Sequence, residues 1–210
     1  MPFYPRSPYG VSKVFAHYTS LHKITTNRTE ATEKRGRGLV EESGRIQGMH
    51  AVYDQLLTDV RAACEAHYGS RLVALAVFGS VGRGTPQPDS DVDLLLIAEG
   101  LPNGRLPRMA QFQAIETAVE PRLADAWREG LHPSLSPVFK TPAEVLAGSP
   151  LFLDMTEDAR ILYDRDGFLQ RAFADLESRL ERLGARRIWR GNAWYWDLKP
   201  DYTPGEVFEI

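Results

Sequence analysis

Over residues 47–68 apolar side chains at Met49, Val52, Leu56, Val60, Ala63 and Cys64 return every three or four positions, which predicts an amphipathic helix closed by Gly69. Two shorter runs, LVALAVFG and DVDLLLIA, are apolar without interruption and rich in Val and Leu. They predict strands buried on both faces. A second helical period covers residues 108–127, with Met109, Phe112, Ile115, Val119, Leu123 and Trp127 inward. Pro121 is expected to kink or break it. Residues 134–139 read as a third strand. Thr141-Pro142-Ala143-Glu144 is a helix start in which Thr141 caps the first turn and Glu144 closes a capping box. A short apolar segment at 161–163 precedes a helix over 167–184, with Phe168, Leu169, Phe173, Leu176, Leu180 and Leu183 on one side. The tail carries Trp189, Trp194 and Trp196, and such a cluster is expected to pack the tail onto the core.

At 210 residues there is room for one compact domain with an appendage, and 43% hydrophobic with 25% charged residues excludes a disordered or membrane-embedded chain. No apolar run approaches the roughly 18 to 20 residues that span a bilayer. The first residues lack the pattern of a secretory signal, and the lone Cys64 excludes an intramolecular disulfide and a cysteine-based zinc site. These absences place the protein in the cytoplasm. The formal net charge of −3 argues against strong nucleic-acid binding. Residues 1–48 nevertheless hold eight Lys or Arg against four Asp or Glu, a net of +4 on an otherwise acidic chain. The expected division is a weakly ordered extension over 1–45, a catalytic domain over 46–165, and a C-terminal helix with a Trp-rich tail over 166–210 packed on it.

The chemistry concentrates in VFGSVGRGTPQPDSDVDLLLI. A strand delivers Gly79 and Ser80 to its end, a Gly-rich loop turns back, and the next strand opens with Asp91 and Asp93. Residues two apart on a strand share a face, so the two carboxylates stand about 6 to 7 Å apart. At that separation they repel by roughly 3 kcal/mol at an effective dielectric near 20. Asp89 adds a third negative charge, and Arg83 is the one cation between Gly79 and Ile97. A divalent cation would relieve the repulsion. Mg²⁺, with Mn²⁺ as its substitute, takes carboxylate oxygens together with water and phosphate oxygens. Gly79, Gly82 and Gly84 allow close backbone approach, so main-chain N–H groups and the Ser80 hydroxyl can meet a phosphate, while Arg83 can neutralise a departing pyrophosphate.

Gly79-Ser80, ten residues, then Asp91-x-Asp93 resembles the signature of the DNA polymerase beta-like nucleotidyltransferase superfamily, and most of all its small stand-alone prokaryotic members, the minimal nucleotidyltransferases. The resemblance implies an α/β or α+β fold with a small mixed sheet flanked by helices. It implies that Gly79 and Ser80 bind a nucleoside triphosphate, ATP foremost, and the positive charge of Arg83 adds that residue to the nucleotide-binding set. Asp91 and Asp93 would be catalytic through the metal they hold, and a nucleoside monophosphate would pass to a hydroxyl of an unidentified acceptor. That family also places a third carboxylate on a later strand, where HPSLSPVFK offers Ser134 and Ser136 instead. Glu144 and Asp154 follow further on, without the spacing that role calls for. Three outcomes stay open: another acid folds into place; two carboxylates and water suffice; or turnover is lost and a silent nucleotide-binding module remains. Members of the family that act as antitoxins imply a further alternative, with a small helical toxin protein as partner. Separately, residues 2–18 resemble the active-site segment of GDP-mannose 4,6-dehydratases through Tyr9 and Lys13, without the dinucleotide fingerprint that chemistry needs. They are read as a remnant without a role.

Overall fold

The computed structural model describes residues 31–210 except Asn192 and Glu209, with side chains described from residue 46. Residues 2–18, with Tyr9 and Lys13, lie outside the described residues.

The helix predicted over 47–68 is the C-terminal part of α1, Ala31–Tyr68. Its upstream turns mix helix formers such as Ala31, Glu33, Lys34 and Arg35 with Gly36, Gly38 and Gly44, and carry no apolar period. A periodicity reading therefore starts the helix too late. Strands β1, Leu72–Phe78, and β2, Asp91–Ala98, pair antiparallel, joined by the short helix α2, Gly79–Gly82. Helix α3, Arg105–Arg128, carries the chain to β3, Ser134–Lys140, which pairs parallel with β2. Helices α4, Pro142–Leu146, and α5, Phe152–Asp158, precede β4, Arg160–Asp164, which pairs antiparallel with β1. The result is a four-stranded mixed sheet in the order β3-β2-β1-β4. Helix α6, Phe168–Leu183, follows between Gly167 and Gly184, and strands β5, Arg186–Arg190, and β6, Ala193–Asp197, form a separate hairpin.

The uninterrupted apolar runs are explained by burial on both sides of the sheet. Leu72, Leu75, Val77, Leu94 and Leu96 join one core with residues of α1 and α3, among them Leu56, Val60, Phe112 and Ile115. Ala74, Ala76, Leu95 and Ile97 join a second core with Val145, Phe152, Met155, Leu169 and Phe173 of α4, α5 and α6. Successive residues thus feed opposite layers. Cys64 is fully buried in the first core, where desolvation pushes its thiol up to about 12 and leaves it inert.

One expectation for α3 is narrowed and another needs correction. The helix runs through Pro121 without a break, one missing N–H being tolerable when the flanking turns are packed. Trp127 is exposed, because the three-four spacing from Val119 through Leu123 continues to Ala126. Glu144 does close the predicted box: its carboxylate accepts from the Thr141 N–H at 2.7 Å, and its own N–H donates to Thr141 Oγ1 at 3.2 Å. Its carboxylate also receives both terminal nitrogens of the buried Arg108 at 2.8 and 2.9 Å. No helix among the described residues is long and apolar enough to cross a membrane.

Candidate active site

The register of the β1-β2 pair sets Phe78 opposite Asp93, so the first residue past β1, Gly79, arrives against that carboxylate. Gly79 has φ of +68°, and a Cβ built on it would stand 2.3 Å from Asp93 Oδ2. Only glycine meets both demands. Gly82 serves by close approach: a Cβ there would lie 2.8 Å from the backbone oxygens of both Val77 and Asp158. The loop is thereby pressed between the end of β1 and the end of α5. Ser80 Oγ lies 3.0 Å from Ser90 Oγ, and Ser90 Oγ accepts from the Gln87 N–H at 2.8 Å, which closes the Pro-rich return to β2.

Asp91 is exposed and Asp93 half-buried on the same face of β2. Burial raises the Asp93 carboxyl above its ordinary range, the Ser136 hydroxyl bonded to it draws it back, Asp91 raises it again and Arg83 lowers it. The parallel pairing explains the serines: Asp91 stands opposite Ser134 and Asp93 opposite Ser136. Ser134 Oγ donates to Asp91 Oδ1. Hydroxyls therefore occupy the register positions where the resemblance implied a third carboxylate. The two later acids, set aside on spacing, are engaged elsewhere, Glu144 by Arg108 and Asp154 by the indole N–H groups of Trp194 and Trp196 at 2.8 and 2.9 Å. Among the described residues no third His, Cys, Asp or Glu joins the pair. The two carboxylates of β2, with the β3 hydroxyls that face them across the strand pair and the glycine loop against Asp93, form an oxygen donor set suited to a hard divalent cation completed by water and phosphate.

Arg83 follows the glycine loop and points across it. Its Nη1 lies 3.3 Å from Asp158 Oδ2, and its guanidinium carbon 5.2 Å from the centre of the Trp194 ring. Asp158 is shared: Arg187 of the hairpin reaches both its oxygens, at 3.1 and 2.7 Å, and also Glu157 at 2.7 Å. Sequence reasoning missed Asp158, which lies 75 residues from Arg83 and carries no motif. It also missed the hairpin, whose alternation of Arg and Trp has no apolar period. His132 is exposed at the mouth of β3, its N–H donating to the Pro88 oxygen at 2.6 Å.

Residues 57–163 match the family described as nucleotidyltransferase domain. A candidate protein adenylyltransferase of Methanocaldococcus jannaschii is 30% identical over 132 residues, 62% of this chain and 84% of that protein. A bifunctional uridylyltransferase/uridylyl-removing enzyme of Bordetella avium is 31% identical over 120 residues, 57% of this chain but 12% of that enzyme. Among solved structures, a complex of a tri-AMPylated Shewanella oneidensis HEPN toxin with MNT antitoxin contains a chain similar at 12% identity and a TM-score of 0.39, over 62% of this chain and 87% of that one. A toxin-antitoxin structure with AMP-PNP is similar at 15% identity and a TM-score of 0.35, over 64% of this chain and 92% of that one.

Proposed function

Because this chain belongs to the nucleotidyltransferase domain family and is a nucleotidyltransferase, we propose that it transfers AMP from ATP, in the presence of Mg²⁺ or Mn²⁺, to a hydroxyl of an acceptor protein. The observation that carries this reading is the contact of the glycine loop with the acidic strand, Gly79 against Asp93. That contact brings the groups suited to a triphosphate and those suited to a cation into one place. The relative from Methanocaldococcus, matched over most of its length, supports ATP as donor and protein as acceptor.

In this account Asp91 and Asp93 would hold the divalent cation, which when bound supplies positive charge at the α-phosphate. Ser134 and Ser136 fix the rotamers of those carboxylates by donating to them. Main-chain N–H groups and the Ser80 hydroxyl of the glycine loop receive the phosphate chain. Arg83 meets the terminal phosphates, where negative charge accumulates as pyrophosphate departs. The acceptor oxygen forms its bond to the α-phosphorus as the bond from that phosphorus to the bridging oxygen breaks; the electron pair of that bond leaves with pyrophosphate and the hydroxyl proton passes to solvent.

The test uses α-labelled ATP, CTP, GTP and UTP in turn, with a cell extract as acceptor pool and the Asp91→Asn/Asp93→Asn double variant as reference. The expected result is label from ATP on one protein, with the intact chain only. Binding of ATP without transfer of any label would instead leave a silent nucleotide-binding module, the reading that hydroxyls opposite Asp91 and Asp93 favour.

A further inference from the structure

The residues 186–197 hairpin is anchored on α5. Trp194 and Trp196 both donate to Asp154 of α5, so β6 is tethered to α5 twice. Arg187 is nearly buried and holds Asp158 at the end of the same helix through both carboxylate oxygens. Asp158 in turn takes Arg83, and its backbone oxygen abuts Gly82. The Trp194 ring lies beneath two guanidiniums, Arg187 at 4.2 Å and Arg83 at 5.2 Å from its centre. A free arginine samples many rotamers; this one is confined between a carboxylate on α5 and an aromatic face on β6.

We infer that the hairpin is a working part of the nucleotide site, with Trp194 and Asp158 as positioning residues that hold the Arg83 guanidinium ready for the terminal phosphates of the nucleotide. The inference rests on the role proposed above for Arg83. Confinement before binding reduces the rotamer entropy lost when the triphosphate arrives, and the aromatic face leaves guanidinium N–H groups free to donate to phosphate. Because Trp196 keeps its own tether to Asp154, replacing Trp194 removes the ring face without releasing β6.

The test measures equilibrium binding of ATP and of AMP to the full chain in Mg²⁺ by titration calorimetry. Arg83→Ala is expected to weaken ATP by about tenfold while AMP stays within about twofold, since the lost contacts are to the terminal phosphates. Trp194→Ala should reproduce both results, and the Arg83→Ala/Trp194→Ala double variant should bind ATP no more weakly than Arg83→Ala alone. Trp194→Phe, which keeps an aromatic face, should return ATP affinity toward that of the intact chain. Losses that multiply to about a hundredfold in the double variant, or an equal loss for AMP, would overturn the inference. So would unchanged ATP binding by a Trp194→Ala variant when Arg83→Ala binds poorly. Should Trp194→Ala fail to fold, Asp158→Asn decides: weaker ATP binding supports positioning, and tighter or unchanged binding overturns it. No effect of Arg83→Ala itself would instead remove the proposed nucleotide role of Arg83, a different result from failure at Trp194 alone.

Discussion

Asp93 sits where its own charge is opposed. Half-buried, pressed against Gly79 and beside Asp91, it binds its proton more tightly than an ordinary carboxyl, and the Ser136 hydroxyl offsets that only in part. A carboxyl whose folded pKa is raised costs the fold stability once it ionises: stability falls as pH rises from the ordinary carboxylate range through the raised value, and the full cost is present above that value. Asp93→Asn keeps an oxygen for Ser136 and removes the charge. Without added metal it is therefore expected to raise Tm by about 2 °C, a small effect because solvent reaches the group, while abolishing transfer. Thermal melts of the two proteins check this, and a lower Tm for the variant would contradict it. Gly79 and Asp93 were legible together as members of one motif. Ser134 and Ser136 were legible as the place of a missing acid, but their hydrogen bonds to the aspartates depend on the parallel register of β3, which no local pattern reveals.

At the scale of elements, the β3-to-α4 corner is held by a charge network rather than by apolar packing alone. Glu144 closes the cap of α4 and receives the Arg108 guanidinium, which also donates to the backbone oxygens of Pro102 and Phe139. Arg108 first, and the Thr141 N–H with it, lower the Glu144 carboxyl from 4.5 to about 2. A depressed carboxyl stabilises the fold fully above its unfolded pKa, and that contribution is lost as pH falls from about 4.5 toward 2. Glu144→Gln is expected to be less stable near neutral pH by about 1 kcal/mol, discounted for the partly exposed carboxylate, and to lose less stability than the intact chain on acidification through that window. Urea titrations across the acid range measure both. The capping box was legible because Thr, Pro and Glu each have a local role. The Arg108 partner was not, because an arginine inside an amphipathic pattern reads as a surface charge. The same holds for the hairpin, where Arg187, Trp194 and Trp196 are organised by Asp158 and Asp154 rather than by a solvent-core alternation.

For the whole molecule, a sheet buried on both faces delivers its chemistry to one end, where β1 stops and β2 begins. The apolar runs identified β1 and β2, since only two-sided burial sustains such sequences. The order β3-β2-β1-β4 and the docking of the hairpin against α5 arise from long-range contacts and had to be seen. Under the proposed function the bond that breaks joins the α-phosphate to its neighbour rather than lying at the terminal phosphate, with Asp91 and Asp93 of β2 as the proposed cation ligands and Arg83 across the glycine loop. The most direct test runs parallel reactions with ATP labelled at the α- or the γ-phosphate and the acceptor found in the extract. Transfer of the α label alone, with the γ label released in pyrophosphate, is the result predicted. An acceptor that carries the γ label, or that takes up neither, would contradict nucleotidyl transfer at this site.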